Sequence, residues 1–445
     1  MTNVELSALL HEKRFPELIS AIDEMNVIDA AEFLATLEAE ELPLVFRLLK
    51  KNTAAEIFAE LEFDLQEQII TSMSDRELSH ILEQLFVDDT VDLLEELPAN
   101  MVNRILRNTS SELRGELNRF LRYGEDSAGS VMTSEFVSLR SSLTVDEAVV
   151  GIRRTGVDKE TVYVIYVTDA SRKLCGTLGL RDLLFAAPDT QISELMETDV
   201  KSVCTVDDKE EAAAMISKYD LLALPVVDSE GRLVGIITVD DALDVIEEEA
   251  TEDIEKMAAI TPTDKPYLKT GVFEIFSKRI PWLILLMISA TFTGTIITHY
   301  ESILGRLVIL TAFIPMLMNT GGNAGSQASV TVIRGLSVGE LRMGNILRIL
   351  WKELRISILC GIALGIVAFG KVMLIDRASL TIATVIALTV LCTVIVAKLV
   401  GASLPVLAQR IGLDPTVMAS PFITTIVDAV ALMVYFSIAS ALLGI

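Results

Sequence analysis

The sequence PMLMNTGGNAGSQ, Pro315 to Gln327, lies in a long uncharged stretch and decides how the C-terminal part of the chain is interpreted. About 20 mostly apolar residues are enough to span a membrane. Gly321, Gly322 and Gly325 are poor helix formers, and Asn323 adds a polar amide. Unwound backbone in a bilayer survives only where it is buried in protein or lines a cavity. We therefore expect these glycines to interrupt a transmembrane helix and to offer their carbonyls to an ion pathway.

The same glycines also fit a second interpretation. Small residues spaced along a membrane helix allow two helices to pack closely. The amides of Asn319, Asn323 and Gln327 argue against packing alone, because their dipoles must be satisfied in a dry environment. Both alternatives stay open from the sequence.

Apolar stretches on either side of this segment predict five membrane-spanning helices. Their expected ranges are 280–298, 307–333, 356–370, 378–397 and 415–445. With the N-terminus in the cytosol, the inner flanks carry Lys278, Arg279, Arg334, Arg342, Arg348, Lys352, Arg355 and Arg410, and the outer loops carry Arg306, Lys371 and Arg377. This asymmetry follows the positive-inside rule, and an odd number of spans then places the C-terminus outside.

Asp428 is the one ionisable residue between Pro415 and Ile445. A carboxylate at the centre of a membrane helix costs roughly 2.5 to 3.5 kcal/mol on insertion scales, so it should face a partner or water. One interpretation is a packing residue that bonds a hydroxyl or amide across the bundle. The other, which we favour, is a residue of an ion pathway.

The charges divide the chain at about residue 270. Residues 1–270 contain 55 of the 62 acidic and 25 of the 37 basic residues, a net charge of −30, whereas residues 271–445 have a net charge of +5. The first part is therefore expected to be acidic and soluble and the second to be membrane-embedded. A field of this sign disfavours nucleic acid as a partner.

Residues 1–128 contain a helical repeat. AEFLATL at 31–37, AEIFAEL at 55–61 and SHILEQL at 79–85 recur every 24 residues. Such a period predicts short helix pairs that stack into a solenoid. The acidic residues in FVDDTVDLLEEL, among them Asp88 and Asp92, would ordinarily form a solvated face.

A second repeat covers residues 129–246, at a spacing of about 60 residues. GTLGLRDLLF at 176–185 corresponds to GIITVDDALDVI at 235–246, and each copy contains a β-branched run, VYVIYV or LPVV. The pattern resembles a tandem pair of cystathionine-beta-synthase (CBS) domains. In that family the hydroxyl and carboxylate of the T-x-x-D ending contact a nucleotide, which Thr238 and Asp241 match, while Gly179 departs from it in the first copy.

Residues 247–270 connect this pair to the first span, and we expect a helix as far as about Ile260, before Pro262. Like charges such as Glu248 and Glu252, one helical turn apart, destabilise an isolated helix. The segment is therefore either a solvated linker or a face that needs cations.

The order of these parts resembles the MgtE family of magnesium transporters. PMLMNTGGNAGSQ is similar to the second-span signature of that family, and LVGASLPVLAQRIGLDP, 399–415, to the end of its fourth span. Thr425 and Asp428 follow as the T-x-x-D of the fifth span. The resemblance implies a homodimeric, non-enzymatic Mg²⁺ channel in the inner or plasma membrane. The architecture that the resemblance implies consists of an α-helical N domain, an α+β CBS pair, a connecting plug helix at 247–270 and an all-α pore domain at 271–445.

The resemblance also implies particular site residues. The implied Mg²⁺ ligands are Asp428 in the pore, Asp414 beside the plug helix, Asp88 and Asp92 in the N domain, and Glu210, Asp220, Asp241, Asp244, Glu249, Glu252 and Asp253 on the CBS pair and plug. Gly321, Gly322, Asn323 and Thr425 would line the pore, and Thr238 and Asp241 would bind ATP or another adenine nucleotide. Ser420 stands where some members have Asn, which leaves the finer pore contacts open.

A mechanism follows from the chemistry of the ion. Mg²⁺ keeps much of its water and is held by one or two carboxylates, as a pair of Asp428 side chains would do. Acidic cytosolic surfaces would repel one another when Mg²⁺ is scarce and be bridged when it is abundant, so that the ion closes its own pathway. Two alternatives remain: a membrane-tethered CBS nucleotide sensor and an ion-coupled carrier of divalent cations, with the choice among Mg²⁺, Co²⁺ and Mn²⁺ open.

Overall fold

The computed structural model describes residues 2–263, 267–268, 270–300, 308–418 and 420–443. Arg306 and the two C-terminal residues of the fifth expected span lie outside the described residues. The chain separates into two compact units, Met1–Glu247 and Glu248–Ile445. Each unit is described on its own.

The first unit begins with ten short helices. They are α1 (Asn3–His11), α2 (Phe15–Asp23), α3 (Val27–Ala35), α4 (Glu41–Phe46), α5 (Lys51–Ala59), α6 (Phe63–Ser72), α7 (Asp75–Leu82), α8 (Val87–Glu96), α9 (Ala99–Asn108) and α10 (Ser111–Phe120). Helices α3, α5, α7 and α9 begin 24 residues apart and contact one another in succession. The predicted helical repeat is confirmed.

Apolar residues at the same place in each repeat form the core of these helices. Phe46 and Phe58 come from successive repeats and meet edge to face, with ring centroids 6.0 Å apart. Side-chain caps fix the starts of α1, α3, α7 and α10. At α7, Ser74 and Glu77 form a capping box in which each side chain accepts from the backbone N–H of the other.

Two three-stranded sheets follow, one in each copy of the second repeat. The first contains β1 (Phe136–Arg140), β2 (Thr161–Thr168) and β3 (Leu174–Gly179), with helices α11 (Val145–Thr155), α12 (Leu180–Phe185) and α13 (Ile192–Leu195). The second contains β4 (Val203–Cys204), β5 (Ala223–Val227) and β6 (Leu233–Thr238), with helix α14 (Lys209–Tyr219). In both sheets the first pair of strands is parallel and the second antiparallel.

One glycine in each copy allows the two copies to approach in the same way. A Cβ on Gly176 would lie 2.8 Å from Met196 Sδ, and a Cβ on Gly235 would lie 2.6 Å from Met132 Sδ. Both methionines belong to the segment that opens a repeat. The predicted tandem α+β repeat is therefore confirmed, together with its internal symmetry.

The acidic connecting helix, α15 (Val239–Met257), starts directly after β6, eight residues before the predicted boundary at 247. It also ends earlier than the expected Ile260. Ala259 adopts a left-handed conformation with φ 56°, and the N–H of Ile260 donates to the carbonyl of Glu255. This Schellman arrangement ends the helix before Pro262 could do so.

The second unit contains five long helices: α16 (Val272–His299), α17 (Ile314–Ser337), α18 (Ile346–Leu374), α19 (Leu380–Arg410) and α20 (Ser420–Leu443). Within the described residues, α16, α18, α19 and the segment Pro415–Leu443, which contains α20, are long and apolar enough to cross a membrane. The remaining long helix, α17, is less apolar because it carries the glycines and amides. Helices α18 and α19 extend well beyond the expected 356–370 and 378–397.

The expected interruption of the second span is wrong. Helix α17 is continuous from Ile314 to Ser337, through Gly321, Gly322 and Gly325. The helix penalty of glycine, about 1 kcal/mol per residue, is small beside the packing that the missing side chains allow. The backbone carbonyls of this stretch are held in helical hydrogen bonds and are not free to act as ion ligands.

Candidate ion pathway and cation-binding surfaces

Helix α17 has a glycine face that packs against its neighbours. A Cβ on Gly321 would lie 2.8 Å from Thr393 Cγ2 on α19 and 3.0 Å from Val427 Cγ1 on α20. A Cβ on Gly322 would lie 3.0 Å from Thr424 Cγ2. Gly321 and Gly322, which were expected to line the pore, are thus placed in a packed contact between helices.

The closest approach of two helices is between α17 and α19. A Cβ on Gly401 would lie 2.2 Å from the backbone oxygen of Gly325, a distance that no side chain can occupy. The small-residue packing that the sequence left open is therefore what these glycines do.

The opposite face of α17 is polar. Asn319, Asn323 and Gln327, spaced four residues apart, are exposed in the single chain, and the Asn323 amide donates to Asn319 Oδ1 over 3.2 Å. Amides cannot face hydrocarbon without a substantial desolvation penalty. In a membrane helix this stripe must face water, an ion or another protein surface.

Asp428 is half-buried on α20, next to the buried Val427 that packs against the glycine face of α17. Its carboxylate has no hydrogen bond or ion pair with any residue in the described ranges. Thr425 lies one helical turn earlier and donates its hydroxyl to the carbonyl of Pro421 over 3.1 Å. The geometry does not support the alternative in which Asp428 bonds a hydroxyl or amide within its own bundle.

Asp414 contacts the connecting helix through an ammonium group. Lys256 Nζ lies 2.8 Å from Asp414 Oδ2 and 2.8 Å from Glu252 Oε1, so the lysine bridges the two carboxylates. The Thr416 hydroxyl and N–H also donate to Asp414 Oδ1, over 2.6 and 2.8 Å. The expected contact of Asp414 with this helix is present, and a lysine occupies the bridging position in which the sequence suggested Mg²⁺.

The charges at this contact support the same interpretation. Burial opposes ionisation of Asp414, but the hydrogen bonds from Lys256 and Thr416 hold its pKa below the usual value. The pKa of Lys256 is raised: burial opposes this, and the hydrogen bonds to Asp414 and Glu252 outweigh it. Asp253 lacks such a donor, and burial together with the charge of Asp414 raises its pKa.

A different group of carboxylates is crowded inside the first unit. Asp88 and Asp89 at the start of α8 lie close enough to Glu160 and Asp241 of the CBS pair to interact electrostatically. Asp88 Oδ1 and Glu160 Oε2 are buried without a hydrogen-bond partner in the described structure. The sequence indicated Asp88 and Asp241, whereas Asp89 and Glu160 become neighbours only through the fold.

Burial and mutual repulsion raise the pKa of each of these carboxyls. For Asp88 the pKa lies well above its ordinary value, with burial as the main cause and the charge of Asp89 as the second largest. Burial, followed by the charge of Asp241, raises the pKa of Asp89 to about 6 and that of Glu160 to about 7. Nearby protons or cations would therefore stabilise this cluster of carboxylates, which we call the buried acid cluster.

The other implied ligands lie mostly at the surface of their units. Asp92, Glu210, Asp220 and Asp244 are exposed, and Glu249 is half-buried. Asp220 ends α14 in a left-handed conformation, with φ 50°. Among the described residues no three His, Cys, Asp or Glu side chains converge into a metal-binding group. Any Mg²⁺ held here would need water or further ligands to complete its shell.

Thr238 and Asp241 are brought together at the end of β6. The Thr238 hydroxyl donates to Asp241 Oδ2, which also accepts from the Thr238 N–H over 3.3 Å. The first copy lacks this bond because Gly179 has no side chain; a Cβ there would lie 3.0 Å from Asp182 Oδ2. The predicted asymmetry between the two copies is therefore present in the geometry.

Comparisons with known proteins assign each part of the chain. Residues 314–438 match the family model described as a divalent cation transporter, MgtE, residues 25–126 match the MgtE intracellular N domain, and residues 128–189 and 192–248 match CBS domains. The chain is 37% identical to the magnesium transporter MgtE of Thermus thermophilus over 99% of its own length and 98% of that protein. It is 32% identical to that of Bacillus subtilis, over 97% and 95%.

Solved structures agree for the soluble half. The cytosolic domain of the Mg²⁺ channel MgtE in complex with ATP is 39% identical, covers 55% of this chain and 100% of its own, and has a TM-score of 0.52. The soluble part of a magnesium transporter is 32% identical, covers 56% and 98%, and has a TM-score of 0.53.

Proposed function

Because the chain belongs to the MgtE family of magnesium transporters, and is itself a membrane-embedded Mg²⁺ channel or transporter with a cytosolic N-terminal domain, we propose that Mg²⁺ enters the cell past Asp428 and the polar face of α17. The domains we assign are 1–128, 129–246, a connecting segment 247–270 that contains the C-terminal part of α15, and the membrane domain from 271. Transport is the assigned function, and no catalytic step is required. The C-terminus lies on the outer side if all five long helices span the membrane.

The observation that supports the pathway is the unpartnered carboxylate of Asp428 on α20 together with the exposed amides on α17. Asp428 and the stripe of Asn319, Asn323 and Gln327 belong to two helices that pack directly on each other through the glycine face. A second copy of the chain, related by a two-fold axis, would place a second Asp428 across a pore. Two carboxylates can hold a hydrated Mg²⁺ through its water, weakly enough to release it.

Mg²⁺ uptake by liposomes that contain the purified chain tests this proposal. Asp428→Asn should abolish uptake while the protein stays folded, since neutralising an intramembrane acid removes an insertion cost. Glu340→Gln, at an exposed carboxylate of the same domain, is the matched control and should transport normally. Normal uptake by a correctly inserted Asp428→Asn protein would contradict the pathway. Measuring uptake with and without an imposed proton or Na⁺ gradient distinguishes a channel from an ion-coupled carrier.

We also propose that cytosolic Mg²⁺ closes this pathway by binding the acidic residues of the soluble half. The support is physical: the buried acid cluster holds several carboxyls whose pKa values are raised by burial and repulsion, and a divalent cation relieves both. Asp244, Glu249, Glu252 and Asp253 along α15 would contribute further weak sites. Moving a gate from 1:99 to 99:1 takes about 5.5 kcal/mol, which several weak sites can supply together.

An adenine nucleotide is the second ligand that we assign to the soluble half. The related cytosolic domain was solved in complex with ATP, and Thr238 and Asp241 present a hydroxyl and a carboxylate on one turn of the second CBS copy. Calorimetric titration of the full chain with ATP should show binding that Thr238→Val weakens by about tenfold. Thr177→Val on β3 of the first copy is the matched control. Equal affinities in all three proteins would place the nucleotide elsewhere.

A further inference from the structure

The membrane unit contains a cavity of about 910 Å³ lined by residues of α17, α18 and α19. Two of its charged lining residues are almost completely buried: Glu353 on α18 is 8% exposed and Lys398 on α19 is 6% exposed. Lys352, which is exposed, adds a second ammonium group at the same cavity. Charged groups inside a membrane domain are rare, and they indicate a functional site by default.

The two buried charges are of opposite sign but are not paired with each other. Glu353 Oε2 has no hydrogen-bond partner in the described part of the chain. Lys398 likewise makes no ion pair or hydrogen bond with a described residue, although it lines the same cavity. A buried carboxylate and a buried ammonium that both lack partners leave a large desolvation penalty uncompensated.

The chemistry of the lining restricts the occupant. Two ammonium groups against one carboxylate disfavour Mg²⁺, which prefers oxygen ligands with negative charge. A simple anion would satisfy the lysines and leave Glu353 unpartnered. A zwitterion that carries a phosphate and an N–H-bearing ammonium satisfies both charges at once, because each can form a charge-assisted hydrogen bond.

The remaining lining is both apolar and polar, as the headgroup region of a lipid requires. Val332, Ile349 and Ile356 provide apolar wall beside the charged groups. The polar part comes from α17 and shares two amides with the face that we assign to the Mg²⁺ pathway; it consists of Asn323, Ser326, Gln327 and Thr331. The charged residues of α18 also lie near its basic end, where Arg348 and Arg355 flank them, as expected for the headgroup level of a membrane helix. We propose that this cavity binds the headgroup of an aminophospholipid, phosphatidylethanolamine, with the phosphate at Lys352 and Lys398 and the ammonium at Glu353.

Binding of short-chain lipids to the full chain in detergent, measured by native mass spectrometry, tests the proposal. Dihexanoyl phosphatidylethanolamine should bind about tenfold more tightly than dihexanoyl phosphatidylcholine, whose quaternary ammonium has no N–H to donate to Glu353. It should also bind more tightly than dihexanoyl phosphatidylglycerol, which has no positive charge. These comparisons use the unaltered protein, so they do not depend on whether a variant folds.

Variants then assign the two contacts. Glu353→Gln should remove the preference for ethanolamine over choline, and Lys398→Met should weaken binding of all three lipids by about tenfold. Glu340→Gln, an exposed carboxylate outside the cavity, should leave every affinity unchanged. Equal binding of ethanolamine and choline lipids, or tighter binding of the glycerol lipid, would overturn the proposal. Soluble phosphoethanolamine binding as tightly as the lipid would exclude the bilayer as the source.

Discussion

Two groups of carboxylates in this protein are each destabilised by burial and by mutual repulsion, and they differ in the source of the compensating positive charge. In the buried acid cluster, Asp88, Asp89 and Glu160 lie together with no cationic side chain among the causes of their raised pKa values. At the connecting helix, Lys256 lies 2.8 Å from both Glu252 and Asp414. The first group depends on protons or ions from solution, whereas the second contains its own cation. The difference predicts that the buried acid cluster responds to Mg²⁺ more strongly than the carboxylates at the connecting helix do.

The largest expected effect is on the pH dependence of the soluble half, residues 1–260. Without Mg²⁺, its free energy of unfolding should fall by about 4 kcal/mol as pH rises from 4 to 8, after discounting Glu160 for its partial exposure. The direction follows from the pKa values of about 6 for Asp89 and about 7 for Glu160 in the folded protein, against 3.8 and 4.5 when unfolded. Raised carboxyl pKa values stabilise the fold at low pH, and that stability is lost as pH passes through them.

Urea denaturation at a series of pH values measures this dependence. Saturating Mg²⁺ should flatten the profile between about pH 5 and pH 7, where the carboxyls lose their protons in the folded protein, because the ion replaces those protons. The combined variant Asp88→Asn, Asp89→Asn and Glu160→Gln should be flat in either condition. A profile that is already flat in the parent without Mg²⁺ would show that the cluster is not strained.

A single neutralisation within the cluster should have the next largest effect. At pH 8 without Mg²⁺, Asp89→Asn should raise the free energy of unfolding by about 2 kcal/mol, because each unit of pKa shift corresponds to about 1.4 kcal/mol. It should also reduce the stabilisation by Mg²⁺. Asp64→Asn, at an acidic residue in the first turn of α6, is the control. Destabilisation by Asp89→Asn would mean that the aspartate is already paired with a cation.

Removing the ammonium group of Lys256 should make the carboxylates at the connecting helix depend on cations from solution, as those of the buried acid cluster do. Lys256→Met leaves Glu252 and Asp414 without their ammonium partner and should weaken the contact by about 1 kcal/mol, since the groups are partly exposed. Protection of α15 from protease in the full chain, weakly dependent on Mg²⁺ in the parent, should then require Mg²⁺. Lys256→Arg, which keeps the charge, should behave as the parent does. A strong Mg²⁺ requirement in the parent would contradict the role of the lysine.

The smallest effect is expected at Asp253. Burial and the charge of Asp414 raise its pKa, so Asp253→Asn should stabilise the contact by about 0.5 kcal/mol at pH 8 and by less near pH 4. Hydrogen exchange of α15 in the full chain reports this difference. Glu248→Gln, an exposed residue of the same helix, serves as the comparison. A loss of protection in Asp253→Asn would indicate a hydrogen bond that its carboxylate accepts.

The sequence predicted well whatever is encoded by local periodicity. The 24-residue apolar period placed α3, α5 and α7, and the paired β-branched runs placed β2 and β5. It failed at Gly321, Gly322 and Gly325, because helix propensity is a local preference and the contacts with Thr393, Thr424 and Val427 that outweigh it come from distant parts of the chain.

The candidate site residues also differ in whether the sequence alone or only the fold identifies them. Asp428 stands out as one acidic residue in an apolar stretch, so a single sequence is enough to select it, whereas Asp414 is implied only by the resemblance to the family. Glu160 and Asp89 are ordinary acidic residues among many, and only the fold brings them together with Asp241. Lys398 lies one residue beyond the predicted fourth span, 378–397, whereas the helix continues to Arg410.

The crossing of α17 and α19 has a mechanical consequence. At Gly325 and Gly401 the two helices touch backbone to backbone, with no side chain between them that could change rotamer. The two backbones fit together in one register, because sliding one helix along the other by a single residue would bring a neighbouring side chain against the opposite main chain. We therefore expect the two helices to move together as one rigid body. In the proposed pathway, opening and closing would therefore involve other helices moving against this pair, and α20 contacts α17 through the side chains of Ile423, Thr424 and Val427 rather than through its backbone.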